Sequence, residues 1–338
     1  MRPAPLRSEL EAAGAVFSER SGHEVAVSYG DLAGEYAATH RGRAIADRSA
    51  RAFVGVRGRD AEKLLQSLVS NDVEAVEPGG SCLAFVLTPK GRPVADLRLW
   101  REAPDAFVLE AEPELQDELA ATVRRYRLAA RAEIADDRDR LALVSVLGPL
   151  EPSPGLLVAD GLLGMDVLGA PDTVAALWRE RVGSGYRPIG SEAFEIARVE
   201  AGVPRFGAEI DASVLPAETG LVERTVSFTK GCYVGQEPVA RLHYRGHPNR
   251  QLRRLLSLEG ALPAVPAEIA LGDRVVGRLT SAVQPPGDGP AVGLGYVRRE
   301  VEEGAIVQVR QPAGEPSQAR VTALEGPAYP ASMAARRP

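Results

Sequence analysis

Apolar and polar residues alternate from His23 to Tyr29, the period of a half-buried strand, between two stretches of helical spacing at residues 5–16 and 31–41. Ala52–Arg57 predicts another strand. Gly58-Arg59-Asp60 follows, with Asp60 as the expected N-cap of a helix through Leu64, Leu65, Leu68 and Val69 that closes at Asn71-Asp72. Cys82–Leu87 and Val94–Arg101 predict a hairpin whose turn is Thr88-Pro89-Lys90-Gly91-Arg92. A strand at Phe107–Glu110 and a helix at Glu114–Tyr126 continue a β-α-β-β-α-like order over residues 49–139, with a last strand at 131–135 added to it. That order suits a ferredoxin-like layer, an antiparallel sheet with helices on one face.

Leu141–Leu147 opens a second, similar unit, with a strand at Met165–Leu168, a helix at Pro171–Arg181 and a helix at Ala193–Ala201 that turns at Gly202-Val203-Pro204. From about residue 250 the chain breaks into short strands at Leu252–Leu258, Arg274–Thr280, Ala291–Tyr296 and Ile306–Arg310, separated by turns rich in Gly and Pro. This predicts a small β-barrel. The last ten residues, rich in Ala, Arg and Pro, read as a frayed tail.

Composition adds limits. With 338 residues, 45% of them hydrophobic and 25% charged, the chain has material for two or three cores. A net charge of −6 gives no global pull towards nucleic acid or an anionic membrane. No apolar run reaches the length of a membrane span, and the N-terminus lacks the apolar core of a signal peptide. Two distant cysteines, Cys82 and Cys232, point to free thiols in the cytoplasm.

The densest chemistry lies at residues 230–241, Lys-Gly-Cys-Tyr-Val-Gly-Gln-Glu-Pro-Val-Ala-Arg. Lys230 and an expected helix start after Gly235 would both favour a thiolate at Cys232. A thiolate suits a nucleophile, a redox thiol or a transient ligand for iron or sulfur, and a buried cysteine in a turn is the plain alternative. Cys232, His243 and His247 leave a zinc ion without a fourth ligand, so no metal site is assigned. The string Lys-Gly-Cys-Tyr-x-Gly-Gln-Glu, with Arg241 further on, resembles the motif of YgfZ-type folate-binding proteins. These are relatives of the glycine-cleavage T-protein (aminomethyltransferase) and serve iron–sulfur protein maturation or repair. Asp47-Arg48-Ser49, Gly91–Asp96, Arg198-Val199-Glu200-Ala201-Gly202, Gly207–Asp211 and Gly293–Arg299 are similar to landmarks of the same superfamily.

The resemblance implies an α+β, three-lobed T-protein-like ring around a folate channel. Its two ferredoxin-like α+β domains would be residues 49–139 and a discontinuous folate-binding domain of residues 1–48 and 140–247. A β-barrel at 248–328 and a tail at 329–338 would follow. It implies tetrahydrofolate or a one-carbon derivative as cofactor, and iron–sulfur client proteins or assembly factors as partners. Neither a membrane nor a nucleic acid is expected as a partner. It places Cys232, Lys230 and Asp96 in the chemistry, and Glu200, Asp96, Asn71, Arg198, Gln236 and Arg241 at the cofactor.

Each residue has a plainer reading beside that one. A carboxylate such as Glu200 can accept two hydrogen bonds from the amidine-like edge of a pterin; otherwise it is a surface acid paired with Arg198. Asp96 would line the channel, or else pair with Arg98 or Arg101 on its strand. The T-protein relatives carry two adjacent acids where this chain has Ala95-Asp96, which weighs against aminomethyl transfer. The basic run from Arg241 to Arg254, with Tyr244 in it, fits a polyglutamate tail, an RNA backbone or a solvated helix face. Three functions therefore compete: folate-dependent iron–sulfur repair, aminomethyl transfer to tetrahydrofolate, and an accessory role in RNA modification.

Overall fold

The computed structural model describes residues 1–151, 153–161, 163–312 and 315–324; the tail expected at 329–338 lies outside them. Residues 1–48 supply α1 (Arg7–Ala12), β1 (Val16–Arg20), β2 (His23–Ser28), α2 (Leu32–Arg41) and β3 (Ala44–Asp47). Asp31 caps α2 by accepting the N–H of Gly34 at 3.0 Å. The pair β1 and β2 is a two-stranded ribbon. Pattern reading passes over β1 because its side chains are mostly exposed and polar.

Residues 49–139 form β4 (Ala52–Arg57), α3 (Ala61–Leu68), β5 (Ser81–Leu87), β6 (Pro93–Ala103), β7 (Ala106–Ala111), α4 (Gln116–Arg127) and β8 (Glu133–Asp136). Their antiparallel sheet runs β5-β6-β7-β4-β8. Without the edge strand β5, this is the ferredoxin-like order that the pattern predicts. Leu65 and Leu68 of α3 and Leu119 and Val123 of α4 pack on Val54, Leu99 and Leu109 of the sheet. The other face, with Phe53, Trp100 and Val108, meets Leu143 and Leu168 of a second sheet. Burial on both faces explains why β4 is almost wholly apolar. Asp60 precedes α3 but does not cap it; its carboxylate accepts the N–H of Arg131 at 2.8 Å and ties the helix start to the approach of β8.

Next come β9 (Ala142–Leu147), β10 (Leu156–Asp160), β11 (Met165–Gly169), α5 (Pro171–Gly183), β12 (Arg187–Ile189), α6 (Ser191–Glu200), α7 (Val222–Thr225) and α8 (Gln236–Arg245). Their sheet runs β10-β11-β9-β3-β12 and so takes in β3 from the N-terminal stretch. The barrel is closed and six-stranded. It is made of β13 (Arg250–Ser257), β14 (Ala267–Leu271), β15 (Arg274–Val283), β16 (Val292–Arg298), β17 (Ile306–Arg310) and β18 (Ser317–Thr322), in the order β13-β16-β15-β14-β17-β18. The fold is thus mixed α+β with a C-terminal barrel. Among the described residues no helix is long and apolar enough to cross a membrane.

One buried ion pair joins these parts. Arg198 of α6 donates from Nε and Nη2 to Glu195 at 2.8 and 2.7 Å, and from Nη1 to the Val203 carbonyl at 2.5 Å and to Glu209 at 2.9 Å. Its last N–H goes to Ser281 Oγ of β15 at 2.9 Å. Glu209 is equally occupied, accepting from Arg198, the Arg205 N–H, Thr280 and Ser281. Removing one member of a buried pair strands the other. Glu209→Ala is therefore expected to lower unfolding stability by about 3 kcal/mol, read from urea denaturation. An unchanged midpoint would show that the pair does not hold the barrel to α6. Arg274→Ala, which removes an exposed pair with Glu300, should leave the midpoint where it is.

Candidate functional site

A cavity of about 140 Å³ opens between the two sheets and α6. Its wall takes residues from the β3–β4 connection, from β6 and β7, from α6 and from the turn at Val203–Arg205. Ala95 and Leu97 of β6 pack in the core under α3 and α4, and Asp96 and Arg98 emerge on the opposite face; Leu97 also borders the cavity.

Six arginines line the cavity (Arg20, Arg48, Arg51, Arg98, Arg198 and Arg205), against six acids (Asp47, Asp96, Glu110, Glu112, Asp166 and Glu195). Four of these acids have arginine partners. Arg51 pairs with Glu110 at 3.1 Å and closely with Glu112, and Arg20 reaches Glu112 at 3.1 Å. Arg48 holds Asp166 at 3.1 Å, and Arg198 holds Glu195 at 2.7 Å. Burial opposes the Glu112 charge, but Arg51, Arg20 and Arg205 outweigh it and keep that carboxyl below the usual range.

Asp96 and Asp47 have no arginine at ion-pair distance among the described residues. Burial first, and then the charge of Glu112, push Asp96 up to about 7 despite Arg51. Its Oδ1 is buried without any hydrogen-bond partner. Burial raises Asp47 to about 6, against two hydrogen bonds from Ser49. A carboxyl poised near neutrality and aimed into a cavity is a standard form of proton-transfer group.

Of the other residues singled out in the sequence, Arg198 lines the cavity, but its five N–H donors are all taken by protein acceptors. It is a scaffold residue rather than a ligand donor. Glu200 is absent from the cavity wall. Helix geometry carries it about 140° round α6 from Glu195, and there it accepts from Tyr36 at 2.7 Å and faces His40 of α2 at 3.6 Å, not Arg198. Asp96 pairs with neither Arg98 nor Arg101; those arginines bind Asp160, Asp166 and Ser81, and Glu62, Val76 and Pro104, respectively. The residues that sequence reasoning missed are Asp47, Arg51, Glu112 and Glu195. Asp47 had a signal, its place in the Asp-Arg-Ser string; the others become charged wall only through tertiary contact.

The cysteine loop lies apart from this wall. Cys232 is exposed and a free thiol. Lys230 is buried, and its amine donates to the carbonyls of Val69 and Asn71 at 2.8 and 2.7 Å, where burial lowers it to about 8. These bonds pin the loop to the end of α3. Asn71 is structural too, donating to the carbonyls of Leu83 and Arg224. Gln236 opens α8 and Arg241 is exposed along it; neither lines the cavity. His243 stacks on Phe228 with centroids 3.8 Å apart.

The glycines of the motif have separate roles. A Cβ on Gly231 would meet nothing within 4 Å. Gly235 has φ +81°, and a Cβ there would meet the Thr88 carbonyl at 2.5 Å; a Cβ on Gly91 would meet Pro238 at 3.0 Å. The loop and the 88–92 hairpin turn thus touch through glycines. Burial pushes Cys82, the other thiol, up to about 12, which disfavours its thiolate.

Residues 6–152 match the family model described as the GCVT N-terminal domain. The chain is 29% identical to an aminomethyltransferase of Rubrobacter xylanophilus over 96% of its own length and 94% of that protein's. It is 28% identical to an aminomethyltransferase of Bordetella parapertussis, covering 91% of this chain and 92% of that one. Among solved structures it resembles the glycine cleavage system aminomethyltransferase T from Bartonella henselae, with a TM-score of 0.83 at 21% identity, covering 96% and 97% of the two chains. Residues 6–152 are thus similar to a GCVT N-terminal domain, and the chain shares the fold of the Bartonella aminomethyltransferase T.

Proposed function

We propose that the cavity takes the ring end of a reduced folate and that the chain transfers an aminomethyl group to it, with Asp96 as the proton-transfer group. The observation that carries this reading is the unpartnered Oδ1 of Asp96, buried in a cavity whose other acids, Asp47 excepted, are held by arginines. The names of relatives matched over nearly the whole chain support it, and they favour aminomethyl transfer over the iron–sulfur role raised by the 230–241 motif. An unpaired acceptor beside mixed polar walls fits a ring rich in N–H donors. Bound tetrahydrofolate would supply the nitrogens that accept the one-carbon unit. Asp96, raised to about 7, is present in both protonation states at neutral pH and can take up or return a proton there.

A second reading rests on Cys232. Its exposure, beside a Gly231 with open space around it, suits a thiol that meets a macromolecular partner, as a YgfZ-type iron–sulfur repair factor would require. The Ala95-Asp96 pair, with one acid instead of two, leans the same way.

Three expected outcomes follow from these readings. With a lipoylated carrier and tetrahydrofolate, the wild type should form methylenetetrahydrofolate, and Asp96→Asn should lower kcat by about 10²–10⁴. No wild-type turnover would remove the transferase reading. The raised Asp96 also makes stability depend on pH. Between its ordinary value of 3.8 and its folded value of about 7, the folded state keeps a proton that the unfolded state has lost. Wild-type stability from this group falls as pH rises through that window and is level above it. The melting temperature of Asp96→Asn relative to wild type should thus climb from pH 4 to 7 and then stay constant; a flat difference would mean that Asp96 is not held protonated. Finally, Cys232→Ser should leave the melting temperature unchanged, since the thiol is exposed. If the second reading holds, the variant should fail to restore iron–sulfur enzyme activity in cells lacking the protein; full restoration would dismiss a role for the thiol.

A further inference from the structure

Glu200 is absent from the cavity wall, where the acid with one oxygen held and the other left free is Asp47. Asp47 ends β3 at the cavity. Its Oδ1 accepts both the N–H and the hydroxyl of Ser49, at 3.0 and 2.6 Å. The Ser49 hydroxyl is itself held, accepting the N–H of Leu143 in β9 at 3.1 Å. One oxygen of Asp47 is thereby clamped to the strand next door, and the carboxylate plane is fixed. No hydrogen bond from the described residues reaches Oδ2. Glu110, Glu112, Asp166 and Glu195 cannot serve in the same way, because arginines already hold them.

We infer that Asp47, oriented by Ser49, is the ligand-binding carboxylate of this cavity and accepts an N–H from the 2-amino edge of a 2-amino-4-oxo heterocycle through its free Oδ2. This rests on the folate reading above and adds to it the residue that recognises the ring. Asp47 binds and Asp96 moves protons; the first is prearranged by two local bonds, and the second is left without a partner. Ser49 is a positioning residue. A donor-rich ring edge is matched by an acceptor-only group, whereas a ring with oxygen in place of the 2-amino group would set oxygen against oxygen.

The test uses the full chain with three probes, tetrahydrofolate, 6-methylpterin and 6-methyllumazine, which carries oxygen in place of the 2-amino group. Binding is measured by calorimetry. The wild type should bind 6-methylpterin at least tenfold more tightly than 6-methyllumazine. Asp47→Asn keeps an oxygen for Ser49 but offers an amine in place of Oδ2. It should weaken tetrahydrofolate and 6-methylpterin at least tenfold and lose or reverse the preference for the pterin. Ser49→Ala should weaken both pterins while keeping the preference. Melting curves confirm that each variant is folded, and a change in preference between two probes of one shape is something that a folding defect does not produce. Tight tetrahydrofolate binding by the wild type with an unaltered Asp47→Asn would overturn this assignment and leave the folate reading standing. A wild type that binds none of the three probes would overturn both.

Discussion

Arg198 is buried where α6, the 203–210 turn and the barrel meet, and a guanidinium in such a place cannot shed its proton to ease the cost of burial. Each of its five N–H donors therefore has to find an acceptor, and the chain supplies them from four separate positions, Glu195, Val203, Glu209 and Ser281. That requirement fixes the relation of the barrel to α6. It also fixes Glu195, and through Glu195 the position of Arg205, which lies 3.9 Å away. The cavity wall is in this sense an outgrowth of the scaffold, since the arginine that seals the lobe junction also lines the site.

The same logic of satisfied charge explains the character of the cavity. Most of its acids and arginines neutralise one another, so the wall is polar but nearly fixed. Against that background the two unmatched acids stand out, and the protein treats them differently. Asp47 receives two bonds on one oxygen, whereas Asp96 receives none on its buried oxygen and shares its surroundings with the Glu112 charge. Burial raises both of these chemically identical side chains, but hydrogen bonds hold only Asp47 in place.

Much of the fold was legible in the sequence because its strands and helices are buried on defined faces and so carry a period. The ferredoxin-like order, α6 and four of the barrel strands follow from that. What escaped were elements whose residues have no single buried face, such as β1, or that are short and interrupted by charge, such as β14 and β18. At the site, strand alternation sends Asp96 away from Ala95 and onto the cavity face. Glu200 stands off the cavity wall, since a motif says nothing of rotation round a helix. The two carbonyls that take the Lys230 amine are presented only by the folded chain. Glu112 and Arg51 gave no sign, because their meaning lies in each other.

The contact between the cysteine loop and the 88–92 turn has a mechanical consequence. Gly235 lies against the Thr88 carbonyl, with no room for a methyl group, and Gly91 lies tightly against Pro238. The turn leads directly into β6, whose fourth residue is Asp96. An added side chain at Gly231, beside the exposed thiol, would meet open space, whereas one at Gly235 would run into the Thr88 carbonyl of the turn. The loop thus has a tolerant end and an intolerant end, and the thiol lies at the tolerant one.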